Sequence, residues 1–233
     1  ADTQTMQRVI DKPELTLWMD TDVDFGTPRA NMTLSLLVED GFIDAADRAQ
    51  AQLYRRLVND ALSATIYPAY LAGLGYSIGV GDSGFSVSVN GYQDKQMALL
   101  ATVTEQLFRA DIRAERFATL KSSLIKDWRN SLKDKPYTQA IGALSDLMVS
   151  SSWPATTLAD ALEPVTRDDL LQWRSQRLER VGVIAALHGN VTSADAEQLA
   201  EFVADTIKPQ AVARTRAQVA ELEKALSLDI AVD

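Results

Sequence analysis

Apolar and polar residues alternate with period 2 at three places in the chain, and each predicts a strand with one buried face. Leu15, Leu17 and Met19 alternate with Thr16 and Trp18; Met32, Leu34, Leu36 and Val38 follow, and this second strand is expected to pair antiparallel with the first. Phe85, Val87 and Val89 alternate with Ser86, Ser88 and Asn90 after a glycine-rich turn, and the strand is expected to end at Asn90-Gly91. A fourth segment, Val181 to Leu187, is nearly all apolar, which predicts a last strand at the centre of the sheet.

Helical spacing fills the rest. A long helix is predicted from Asp44 to about Ile66, with Asp47 completing a capping-box-like start and a stripe of Ala46, Ala49, Leu53, Leu57, Ala61 and Leu62. A second helix begins near Gln93 (Met97, Leu100, Thr104, Phe108) and a third near Arg113 (Phe117, Leu120, Leu124, Trp128, Leu132). Pro136 interrupts, and Tyr137, Ile141, Leu144 and Met148 resume the pattern. Trp153-Pro154 opens a short segment with Leu158 and Leu162. Thr166 with Asp169, and Thr192 with Asp195, read as caps of two further helices, the first through Leu170, Leu171 and Trp173, the second through Leu199, Phe202 and Val203. The order predicts an α+β fold, a mostly antiparallel sheet with helices packed on one side.

Composition narrows the partners. The chain has 233 residues, 46% of them hydrophobic, enough for a substantial core in one large domain or two small ones. A formal charge of −9 argues against nucleic acid and against an anionic membrane surface. With no cysteine, thiol catalysis, disulfides and thiolate metal sites drop out together. No apolar run approaches the ~20 residues that span a bilayer. The opening ADTQTM, without Met at position 1, reads as an excised piece of a longer protein.

Candidate chemistry is sparse. Gly79 to Gly84, GVGDSG, is a literal GxGxxG, but a strand rather than a helix follows it, so a flexible hairpin loop is expected and not a nucleotide site. Asp20, Asp22 and Asp24 before Gly26 imitate a calcium loop with its glycine one place late and Asn31 where the bidentate glutamate belongs, so a solvated acidic turn is expected. His188 is the only histidine, too few for a zinc peptidase site, and is expected to hydrogen-bond at the end of a strand, with Gly189 and Asn190 shaping the turn. Asp127, Asp134, Asp168 and Asp169 read as surface charges, and no GxSxG supports serine hydrolysis.

Three segments, AYLAGLGYSI (Ala69–Ile78), GFSVSVNGYQDKQ (Gly84–Gln96) and ALHGNVT (Ala186–Thr192), resemble the middle domain of pitrilysin/insulysin-type zinc peptidases, the long-chain members of the M16 family. The resemblance runs from about Thr16 to Ile207. Its signature residues are Leu71, Ala72, Gly73, Leu74, Gly91, Tyr92, Asp94, Lys95, Gln96, His188, Gly189 and Asn190. It implies an M16 peptidase-like (LuxS/MPP-like) domain at 15–207, a flexible lead at 1–14 and a connector at 208–233 toward a following domain. It also implies a third, non-catalytic domain of a zinc metalloendopeptidase, walling a peptide-degrading chamber. Partners would be the other M16 domains of the same polypeptide and peptide substrates. Zinc would sit in the first domain, whose HxxEH motif has as its counterpart here Gln52-Leu53-Tyr54-Arg55-Arg56, without histidine or glutamate. No catalytic or metal residue is therefore expected in this segment. The alternative is an inactive M16-like scaffold with no peptidase in the same chain. The resemblance to pitrilysin leans toward a periplasmic compartment, which composition does not decide.

Overall fold

The computed structural model describes residues 6–21, 29–42, 44–92, 95–133, 135–137, 139–140, 144 and 152–212. Expectations at Asp22, Asp24, Gly26, Gln93, Asp94, Asp134, Ile141, Met148, the Leu132 side chain and the tail from 213 onward fall outside them. Among the described residues there are six strands: β1 (Gln7–Asp11), β2 (Leu15–Thr21), β3 (Arg29–Val38), β4 (Gly75–Gly81), β5 (Gly84–Tyr92) and β6 (Val181–Gly189). The helices are α1 (Ala45–Leu71), α2 (Gln96–Arg109), α3 (Ala114–Asn130), α4 (Ala155–Leu162), α5 (Arg167–Glu179) and α6 (Ser193–Phe202). The strands form one sheet in the order β1-β2-β6-β3-β5-β4, in which only β2 and β6 run parallel.

Register sorts the side chains into two faces. On one face the rows Leu15–Val183–Leu36–Phe85–Val80 and Leu17–Ala185–Leu34–Val87–Ile78 cross five strands. All but Val80 are buried, joining Leu53, Leu57, Leu62, Leu100, Val103 and Leu199 from the helices in one core. At ~25 cal/mol per Å² of apolar surface, such rows are the main reason the sheet binds its helices. The opposite face reads Thr16–Ile184–Ser35–Ser86–Gly79, then Trp18–Ala186–Thr33–Ser88–Ser77, then Asp20–His188–Asn31–Asn90–Gly75. Thr33 and Ser88 hydroxyls bond across it at 3.0 Å. This is the alternation read from the sequence, now carried across the whole sheet.

Several details differ from the sequence reading. Residues 7–11, taken as part of a loose lead, form β1 on the edge of β2. β2 and β3 are not neighbours, because β6 lies between them, parallel to β2 and antiparallel to β3. β6 is central, as its apolar run predicts, but only one of its faces is buried: Val181, Val183, Ala185 and Leu187 lie in the core, while Ile184 and Ala186 are half-buried and His188 is exposed on the other face. Helix α1 runs past Ile66 through Pro68 to Leu71. It ends in a Schellman motif: Gly73 N–H donates to Tyr70 O (3.0 Å) and Leu74 N–H to Ala69 O (3.0 Å), with Gly73 at φ +77°. Ala46 and Ala61 are exposed, and the buried stripe of α1 instead takes in Ala51, Tyr54, Val58 and Ile66. β5 continues past Asn90-Gly91 through Tyr92, and α2 spans Gln96–Arg109. The GVGDSG segment is a two-residue turn pinned by Phe42 N–H to Asp82 O (2.7 Å) and Val38 N–H to Ser83 O (2.9 Å), not a flexible loop.

Candidate functional site

Two places could carry chemistry: the window 52–56 on α1, and the end of the sheet where the signature residues meet. In the window, Tyr54 points into the core. Its ring packs edge-on against Phe85 (6.1 Å) and Trp173 (6.3 Å), in a cluster that Phe42 completes. Its hydroxyl donates to Leu107 O at 2.6 Å, and burial pushes its pKa up to about 12. Arg174 lies over the same ring at 5.9 Å. Arg56 pairs with Asp127 at 2.9 Å, and Arg55 donates to Gln52 Oε1 at 3.3 Å. Burial, then the neighbouring Arg56 charge, pulls the Arg55 guanidinium below its ordinary value. No ligand set for a metal is present: guanidinium offers no lone pair, the Tyr54 hydroxyl is buried against Leu107 O, and the neutral Gln52 oxygen, which accepts from Arg55, stands alone. These residues do not fit a zinc ion. Among the described residues no three His, Asp or Glu side chains gather within reach of one ion.

One turn before the window, Asp47 is buried at 5% exposure, a feature the sequence reading treated only as a cap. It does help cap: Asp47 N–H donates to Asp44 Oδ1 at 2.7 Å. Its carboxylate, however, turns inward to accept from Trp173 Nε1 at 2.7 Å and from Arg177. Burial pushes the carboxyl up from its ordinary value against the pull of those two donors. The bond ties α1 to α5 and leaves Asp47 no capacity to act on a ligand.

At the far end of the sheet the signature residues converge. Leu71 and Ala72 end α1, Gly73 and Leu74 turn the chain, and Leu74 is buried. Gly91, at φ +129°, passes so close to this turn that a Cβ there would meet Gly73 O at 2.5 Å. A Cβ on Gly73 would meet the Tyr92 ring at 3.2 Å. Gln96, fully buried, donates from Nε2 to Ala30 O (2.6 Å) and Gly91 O (2.8 Å), so the first residue of α2 clamps β3 to β5. Lys95 is the exposed N-cap position of α2. Gly189, at φ +110°, comes as close to Arg29 O, which accepts from Asn190 N–H at 3.0 Å. His188 Nδ1 bonds Asp20 Oδ2 at 3.0 Å across the parallel β2–β6 pair, the strand-end hydrogen bond expected of it.

Of the signature residues, Gly73, Gly91, His188 and Gly189 line a cavity of about 410 Å³ on the polar face, together with Arg29, Asn31 and Asn90. Arg29 also lies over the Tyr92 ring at 5.7 Å. Arg29 and Gln96 were not singled out for these roles, although the facing positions Arg29 and Tyr92 are a cross-strand pair. The cavity offers amides, one imidazole and one guanidinium. It can hydrogen-bond a polar ligand or a peptide backbone, but it holds no nucleophile with an adjacent base.

Comparison with known proteins agrees with this picture. Residues 2–161 match the family model described as the middle or third domain of peptidase M16. The human insulin-degrading enzyme is 32% identical over 191 residues, 82% of this chain and 19% of that protein. A Schizosaccharomyces pombe protein named as a zinc protease is 29% identical over 196 residues, 84% of this chain and 20% of its own length. The crystal structure of pitrilysin superposes with a TM-score of 0.82 at 21% identity, over 88% of this chain and 22% of that one. The chain thus spans about one fifth of the length of the relatives it matches.

Proposed function

The chain belongs to the family of middle or third domains of peptidase M16, and on that premise we propose that it is a non-catalytic wall of the peptide-degrading chamber of a longer zinc metalloendopeptidase. The observation that carries the reading is the division of the sheet into two faces. One is sealed under helices; the other presents Ser, Thr, Asn and His side chains without a catalytic set. A wall needs a rigid sheet with a polar, sequence-tolerant surface and no chemistry of its own. The zinc-bound water and its glutamate base would come from the first domain of the same polypeptide. The other M16 domains would cover surfaces left bare here. Tyr67, Tyr70 and Leu71 share one face of the last turns of α1 at 63%, 72% and 68% exposure, a patch suited to burial against a neighbouring domain.

The test compares this chain with the longer protein that contains it. Zinc content by atomic emission and cleavage of a quenched fluorescent peptide are measured on both. The longer protein is expected to hold zinc and cleave, and this chain to do neither. Zinc-dependent cleavage by this chain alone would overturn the proposal, as would a longer protein that neither binds zinc nor cleaves.

A further inference from the structure

The sheet's two edges are built differently. β1 has five residues, a register shift between Arg8 and Ile10, and an Arg8–Asp11 ion pair at 3.0 Å. Shortness, a bulge and charge are devices that keep a second strand off an edge. β4 has none of them: its seven residues, GYSIGVG, hold unbroken register with β5 and include no charge and no proline.

Backbone alternation shows which groups of β4 are free. Val38 N–H donates to Ser83 O, so odd-numbered residues of β5 face β3 and Gly84, Ser86, Ser88 and Asn90 face β4. Their partners are Gly81, Gly79, Ser77 and Gly75. Tyr76, Ile78 and Val80 therefore turn their N–H and C=O groups outward, and no described residue bonds them there. They form a row of three donors and three acceptors over ~14 Å at ~3.4 Å per residue. On the polar face of β4 stand only Gly75, Ser77, Gly79 and Gly81, so an added strand meets no bulky side chain there.

We propose that the free edge of β4 binds an extended peptide of about seven residues as a seventh strand, by main-chain hydrogen bonds to Tyr76, Ile78 and Val80. The neighbouring strand β5 is paired on both sides and cannot serve. A second copy of this chain is a poor occupant, since each copy carries a formal charge of −9. A neutral or basic peptide meets no such repulsion, and glycine and serine along the edge select little among sequences. The choice of a peptide occupant rests on the chamber-wall reading. The readout is the chain's own amides rather than cleavage by a longer protein, so either idea can fail without the other.

The probe is a capped nonapeptide of alternating threonine and valine with lysine at each end. Amide exchange is followed by NMR on this chain. Without peptide, the Tyr76, Ile78 and Val80 amides are expected to exchange faster than those of Ser77 and Gly79. With millimolar peptide those three should slow at least tenfold while their neighbours stay unchanged. A copy N-methylated at every residue should give no protection. A copy methylated at alternate residues keeps one bonding edge and should still protect. Equal protection by the fully methylated copy, protection elsewhere, or none at all overturns the proposal. So does sedimentation showing a dimer whose three β4 amides are already protected.

Discussion

The 52–56 window of α1 and the glycine turn at the end of the sheet teach opposite lessons about what holds this domain together. In the window, Leu53 and Tyr54 fill the core, Tyr54 within an aromatic cluster, while Arg55 and Arg56 bond Gln52 and Asp127. At the sheet end, Gly73, Gly91, Gly189 and Gln96 each have a geometry few other residues could satisfy. The window is constrained by volume, the sheet end by backbone closeness. A fold can change the first while holding the second.

The contrast is sharpest in glycine substitutions. Gly91→Ala and Gly189→Ala combine positive φ with a backbone oxygen 2.5 Å from the new Cβ. Each should cost roughly 2–3 kcal/mol or more in urea unfolding. Gly75→Ala, whose Cβ would meet only the movable Asn90 amide, should cost less than ~1 kcal/mol. Equal losses at all three positions would break the argument from backbone closeness. Gln96→Ala strips a donor from two carbonyls and should cost about 1–3 kcal/mol by the same measurement. Tyr54→Phe keeps the volume and loses one bond to Leu107 O, so about 1 kcal/mol is expected; a larger loss would mean the window is held by more than packing. His188→Ala breaks an exposed pair with Asp20 and should stay within ~0.5 kcal/mol.

The smallest effects are pH-dependent and of opposite sign at two carboxylates of α1. Hydrogen bonding to Arg116 holds Asp60 below 3.8, so its contribution is present above that pH and fades as the pH falls through the lower folded value. Burial raises Asp47, so the folded state keeps that proton longer than the unfolded chain, and stability falls as the pH climbs from 3.8 through the raised value. Thermal melts should show the gap between the parent chain and Asp60→Asn closing in acid. For Asp47→Asn the pH-dependent part of the gap should change between 3.8 and the raised value.

What could be read in the sequence follows the range of the interactions. The capping boxes at Thr166/Asp169 and Thr192/Asp195 are complete within four residues, and both are present. The strand alternation was legible because the period itself encodes a face. Pairing was not: nothing near Leu15 says that its neighbour is Val183 rather than a residue of β3. The same limit hid the partner of His188, since Asp20 lies on a strand read as part of an acidic turn. Gln96 looked like a motif letter and proved to be a clamp, because its targets, Ala30 O and Gly91 O, are backbone atoms that no side-chain pattern marks.

The place of β6 between β2 and β3 has a consequence for synthesis. A ribosome releases β2 and β3 early, but the strand that joins them arrives only after roughly 140 more residues, about 7–30 s later at ~5–20 residues per second. During that interval both strands have an apolar face and an unmatched flank. Helix α1 and the β4–β5 hairpin can gather on β3 meanwhile, but β2 has no sequential partner except the short β1. The β1–β2 segment is thus the part with most need of a holding chaperone, and a chain cut short before Val181 would leave β2 with no partner but β1.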